Sequence, residues 1–161
     1  MSHYVRVVGA ISWAAGMLAV ALLASSVLVV CQMVVVRYVL GQSTIWQTEY
    51  AIYAVVAATF IGSAYVLTQK GHVNVDLLPM ALPARPRLVL NLVTDALSLA
   101  FCALLAWSGW IYFHEAWAEG WRTASVARLP LWIPLLPLPL GIALLCLQYV
   151  AELWKLKEAG R

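Results

Sequence analysis

The chain has 161 residues, of which 64% are apolar and 11% charged, against roughly 45–50% and 25% in soluble globular proteins. A single domain of this size keeps too much of its area as surface to hide that excess in a core, which excludes a soluble enzyme, a disordered chain and a coiled coil. The net charge of +3 comes from ten basic and seven acidic residues scattered over short segments, with no basic run to track a phosphate backbone, so nucleic acid is excluded as a partner. With a mean hydropathy of +0.87, the composition is that of an integral membrane protein.

The first element is a helix over about 7–37. No charge falls between Arg6 and Arg37, and about 20 mostly apolar residues suffice to cross the hydrocarbon. A signal peptide competes, because Ala19-Val20-Ala21 resembles a cleavage site. The apolar run continues to Val36, however, past the ~7–15 residues of a signal core, so an uncleaved helix is expected. Ser12, Gly16, Val20 and Ala24 give it a face of small residues that permits close packing. Arg37 in the last turn complements the exposed carbonyls, and Gly41 suits the left-handed residue that closes a helix.

The second helix covers about 45–69. Thr44 and Gln47 fit a capping box, with Glu49 near the positive end of the new helix. The connection is therefore a tight hairpin that sets Arg37 and Glu49 at similar depth on antiparallel neighbours. They are expected either to pair there or to act as separate headgroup anchors, the second being the simpler role for each residue alone. Trp46, beside the helix start, fits a headgroup-level anchor.

Between 70 and 87, apolar residues argue against a solvated loop and prolines against one regular helix. This stretch is expected to lie along the membrane interface, with Arg85 and Arg87 near anionic headgroups. Asp76 would cap a short helix or pair with Arg85, and His72 would make an ordinary polar contact.

The third helix covers about 88–114. Asn91, Asp95, Ser98 and Cys102 recur at offsets that place them on one stripe. Asp95 is the carboxylate well inside a span, and such a charge faces protein or water; helix-to-helix hydrogen bonding is the expected role. The fourth helix covers about 129–154. Pro130 fits its first turn, while Pro134, Pro137 and Pro139 each remove a donor and should bend or loosen that half. Trp132 marks the adjacent interface. Cys31, Cys102 and Cys146 lie singly in apolar stretches and read as small hydrophobes.

Orientation follows from the basic residues. Arg6, Lys70, Arg85, Arg87, Lys155, Lys157 and Arg161 fall on one side, and Arg37, Arg122 and Arg128 on the other, which puts both termini in the cytoplasm. The fold class is then an all-α integral membrane protein with four transmembrane helices in one domain, 1–161, and a short interfacial segment between helices 2 and 3.

In this order and spacing, the chain resembles the small membrane subunit (DctQ-like) of tripartite ATP-independent periplasmic (TRAP) transporters. The resemblance rests on the Arg37-Tyr38 to Gly41 and Ser43 to Trp46 to Glu49 hairpin, on Gly71-His72-Val73 with Val75-Asp76, and on Pro130, Trp132, Pro139 and Gly141. It implies an accessory scaffold in a bacterial inner membrane, set among lipids beside a large DctM-like membrane subunit and a periplasmic substrate-binding protein. It also implies that the large subunit carries an organic acid with sodium, so that this chain needs no cofactor and is not an enzyme. The candidates for partner contacts or structural roles, from the residues and the resemblance together, are Arg37, Trp46, Glu49, Asp76, Asn91, Asp95, Ser98, Pro130, Trp132 and Pro139. Two other classes are weighed against it. A small multidrug exporter carries a carboxylate in mid-helix 1, and Ser12 through Val36 offers none. A membrane anchor of a redox complex needs facing histidines inside the bundle, whereas His3, His72 and His114 fall outside or at helix ends.

Overall fold

A computed structural model of the protein describes residues 2–69, 83–125 and 128–159. Among the described residues five helices follow in order: α1 (Ser2–Tyr38), α2 (Ile45–Thr68), α3 (Ala84–Ala118), α4 (Trp132–Leu135) and α5 (Pro137–Ala159). Among the described residues the extended structure is a single bridge between Arg122 and Pro130. Four stretches of the described residues are long and apolar enough to cross a membrane: Tyr4–Tyr38, Ile45–Thr68, Leu90–Ala118 and Trp132–Trp154. At 37 residues, α1 is roughly 55 Å long, so it must tilt in, or reach beyond, the ~30 Å hydrocarbon layer.

The last span is interrupted. Expected as one loosened helix, it divides at Leu136 into the four-residue α4 and the longer α5. Pro137 opens α5 in the first position, where its missing N–H leaves no intrahelical bond unmade. The Leu136 amide still reaches the Trp132 carbonyl at 3.0 Å, but Leu140 reaches Leu136 at a stretched 3.4 Å.

Small residues set the packing. On α1, a Cβ at Gly16 would stand 2.8 Å from Cβ of Tyr65, and a Cβ at Gly62 would stand 2.9 Å from Cβ of Ala19. These contacts, with the Thr48 hydroxyl 3.4 Å from the Met33 sulfur, fix α1 and α2 as antiparallel neighbours. Gly16 thus has the close-packing role its sequence neighbourhood suggests. On α5, Gly141 lies directly on the Phe60 peptide of α2, so those two helices touch backbone to backbone. Cys102 of α3 joins Ile142, Leu145 and Tyr149 of α5 in a buried cluster.

The result is an open layer in which α2 sits between α1 and α5, and α3 leans on α4 and α5 with no comparable contact to α1 or α2. The other side of α3 leaves Val93, Leu97, Phe101, Leu104 and Ile111 exposed, an apolar stripe of a kind that needs lipid or another membrane chain against it. Both hairpin connections, α1–α2 and α3–α4, lie at one end of the layer. The start of α1 and the end of α5 lie at the other, the terminal end.

Candidate functional site

At the hairpin end, Gly41 has φ +62°, the left-handed conformation expected of it. The Gln42 amide then turns back to the Val36 carbonyl at 3.2 Å. The capping box beyond it is not made. Thr44 has φ −121° and ψ 35° and no side-chain cap bond, because that ψ falls far from the extended value an N-cap adopts. Its carbonyl instead accepts from the Thr48 hydroxyl at 3.1 Å.

Arg37 and Glu49 do not pair. Arg37 is exposed and lines a cavity of about 340 Å³ with Gln42, Ser43, Thr44, Ile45 and Thr48. Both Glu49 carboxylate oxygens are buried without a hydrogen-bond partner, as is the carbonyl oxygen of Gln47. The α1–α2 register sets Thr48 against Met33, so Glu49 lies about five residues deeper than Arg37 along the hairpin, and the roughly 100° turn per residue carries it onto another face. Trp46 is 54% exposed at the same end, where an interfacial anchor belongs.

The second connection is built from aromatics and a glycine cap. Gly120, with φ +65°, donates to the Trp117 carbonyl at 3.4 Å, and Trp121 donates to Ala116 at 3.1 Å. These are the two bonds of a Schellman motif. The chain returns through Thr123 N–H to the Leu129 carbonyl at 2.9 Å and Leu131 N–H to the Trp121 carbonyl at 2.8 Å, which places Pro130 opposite Arg122. Trp132 packs edge-on to Trp117 with ring centroids 4.7 Å apart. Pro139, buried, stands beside Gly109, whose added Cβ would lie 4.0 Å from the proline nitrogen. Pro130, Trp132 and Pro139 are therefore structural parts of the α3–α5 seam.

Toward the terminal end, a line of polar groups joins three helices. The Ser12 hydroxyl of α1 donates to Oε1 of Gln148 on α5 at 3.0 Å, and Nε2 of Gln148 donates to Glu152 at 3.2 Å. Ser12 and Gln148 are 0% and 1% exposed. The Tyr4 hydroxyl adds a bond to the Leu147 carbonyl at 3.2 Å. On α3, Ser98 stands near the Tyr149 hydroxyl, Cys102 is buried against α5, and Asp95 lies near the like-charged Glu152. Asn91 lies one turn before Asp95 and is partly buried. Asp76 and His72, with the interfacial segment they belong to, lie outside the described residues.

Sequence reasoning finds the α3 stripe but misses Ser12 and Gln148 as partners. A signal existed, since Gln148 is the single amide in the charge-free run between Arg128 and Glu152, and polar side chains in a span seek helix partners. The stripe yields a prediction. Asp95→Asn retains shape and bonding capacity and should assemble normally, whereas Asp95→Leu should lower stability by about 1–2 kcal/mol, read from thermal unfolding in detergent. Failed uptake by a normally assembled Asn variant would assign Asp95 an ionic role instead.

Chemically the Ser12–Gln148 and Tyr4–Leu147 bonds fasten α1 to α5, whereas the approach of Asp95 to Glu152 sets two carboxyl groups together. Among the described residues, the Arg, Asp and Glu side chains of the spans gather near the ends: Arg6, Asp95 and Glu152 at one, Arg37, Glu49 and Glu115 at the other. Discontinuous helices meeting at mid-depth around such groups are the mark of a transport site, and the break at Leu136 lies near the hairpin end.

Comparison with known proteins agrees with this picture. The chain is 28% identical over 144 residues to the C4-dicarboxylate TRAP transporter small permease protein DctQ of Vibrio cholerae serotype O1, covering 76% of this chain and 62% of that relative. The chain thus spans less than two thirds of the relative's length. Residues 26–158 match the family of tripartite ATP-independent periplasmic transporters, DctQ component. With most of its length inside that match, and four spans in the expected order, the chain belongs to the DctQ component family of TRAP transporters.

Proposed function

We propose that this chain is the scaffold-type small permease subunit of a sodium-coupled TRAP transporter in a bacterial inner membrane. In this reading a large DctM-like subunit binds and moves an organic acid, and a periplasmic protein delivers it. The observation that carries the scaffold role is the disposition of polar groups: Ser12 and Gln148 are bonded to each other between α1 and α5, while α3 offers an apolar stripe to a neighbour. The relative's C4-dicarboxylate supports a small organic acid as the substrate class. The excess of Lys and Arg toward the terminal end supports cytoplasmic termini, with the hairpin end facing the periplasm.

Co-expression with the large subunit should yield a stable complex that takes up substrate in sodium-loaded assays, whereas this chain alone in liposomes should show neither uptake nor saturable substrate binding by calorimetry. Reporter fusions after Arg161 should give a cytoplasmic signal, and fusions within Trp117 to Ser125 a periplasmic one. Uptake by the isolated chain, or an external C-terminus, would overturn this assignment.

A further inference from the structure

Given a small permease subunit, the reading on which this assignment rests, we infer that α3 docks against a transmembrane helix of the large membrane subunit through the side it turns away from α5. The partner helix brings hydrogen-bonding side chains into the hydrocarbon and a basic side chain to the hairpin end. Of the four spans, α3 is the least buried within the chain.

Two contacts fix which side of α3 is taken. Cys102 is buried in the cluster with α5, and Gly109, seven residues on, lies against Leu138. Phe101 and Ser108 each precede one of these positions and are turned about 100° from it, while Leu104 and Ile111 each follow by two and are turned about 200°. One heptad earlier the same rows hold Thr94 and Leu97, and Glu115 continues the first row toward the hairpin end. All of these are exposed, Leu97 and Leu104 by 67% each. Rows with a seven-residue repeat stay on one seam against a helix crossing at a shallow left-handed angle, the common arrangement in membranes.

The hydroxyls on this seam select a protein neighbour over lipid. Ser25, Thr59, Ser63 and Thr68 bond back to carbonyls of their own helices, and Ser12 and Ser26 reach an adjacent helix. Thr94 and Ser108 do neither, and their hydroxyls engage no other described residue. With the Leu90–Ala118 span centred in the ~30 Å hydrocarbon, Thr94 stands about 15 Å from the middle and Ser108 about 6 Å. Acyl chains offer a hydroxyl no partner there, whereas a helix offers polar side chains and carbonyls. Glu115 then selects the kind of protein. A second copy of this chain, packed on the same seam about a two-fold axis along the membrane normal, would set Glu115 against Glu115. A different helix with Lys or Arg at that level complements it.

The test co-expresses the full chain with the large subunit and replaces Leu104 by photo-reactive benzoylphenylalanine. Irradiated membranes should give adducts chiefly with the large subunit. Ser108→Ile and Glu115→Lys should each lower the large subunit retained on the tagged chain about tenfold, the scale of one interhelical hydrogen bond or charge-assisted contact, and Glu115→Gln should lower it less. The isolated variants should melt with the wild-type chain, because both positions are exposed. Where the wild-type chain retains the large subunit, adducts of Leu104 chiefly with lipid, or chiefly with a second copy, would overturn this face and leave the assembly standing. Undiminished retention by both Ser108→Ile and Glu115→Lys would do the same. Failure of the wild-type chain to retain the large subunit would overturn the assembly and this face with it.

Discussion

Gly141→Ala should lower the melting temperature of the protein in detergent well below that of Gly109→Ala or Gly9→Ala, although all three add the same methyl group. At Gly141 the new Cβ would fall on the Phe60 carbonyl group and 2.9 Å from the Ile61 nitrogen. Both obstacles are backbone of another helix, so α2 and α5 must separate to admit it. Overpacking of this kind costs about 1–3 kcal/mol, and here it strikes the contact that joins the α1–α2 pair to the α3–α5 pair. At Gly109 the nearest atom is Cδ2 of Leu138 at 2.7 Å, the end of a flexible side chain that can change rotamer. At Gly9 nothing lies within 4 Å, and the gain in helix propensity, up to about 1 kcal/mol, should leave stability unchanged or slightly raised. Tryptophan fluorescence during thermal unfolding would read all three. Equal melting of the Gly141 and Gly9 variants would show that α2 and α5 do not meet through their backbones.

Gln148→Leu should be the most damaging single polar replacement. It deprives the Ser12 hydroxyl of its acceptor and Glu152 of a donor, where Ser12 is shut from solvent. The expected loss is about 1–2 kcal/mol, the scale of polar contacts between membrane helices. Ser12→Ala alone should cost less, because Gln148 keeps its bond to Glu152. The double variant should cost less than the sum, since removing both partners leaves no orphaned group between α1 and α5. Strict additivity in the double-mutant cycle would show that the two side chains do not interact.

Four spans are legible in the linear order of the residues, because hydrocarbon thickness converts a run of uncharged residues directly into a crossing. The left-handed Gly41 is legible for an equally local reason: a glycine after a helix-ending arginine accommodates a positive φ without a Cβ clash. The Asn91, Asp95, Ser98 and Cys102 stripe follows from helical periodicity within one segment, and of its members Cys102 is buried against α5. In each case the controlling distance lies within a few turns of the chain.

Three features depend on how separate helices are rotated and set in depth against one another. A tight hairpin by itself sets Arg37 and Glu49 at similar depth, but the pairing of Met33 with Thr48 leaves Arg37 level with the start of α2 and Glu49 about five residues, roughly 7 Å, deeper. Thr44 and Gln47 have the spacing of a capping box, but ψ 35° at Thr44 leaves the box unmade and its hydroxyl in the cavity wall. Ser12 reads as a small packing residue until α5 sets Gln148 against it, 136 positions along the chain. Hydropathy specifies that a segment crosses the membrane, but a rotation of about 100° per residue changes which side chains meet without changing hydropathy, so these pairings are decided by packing among α1, α2 and α5.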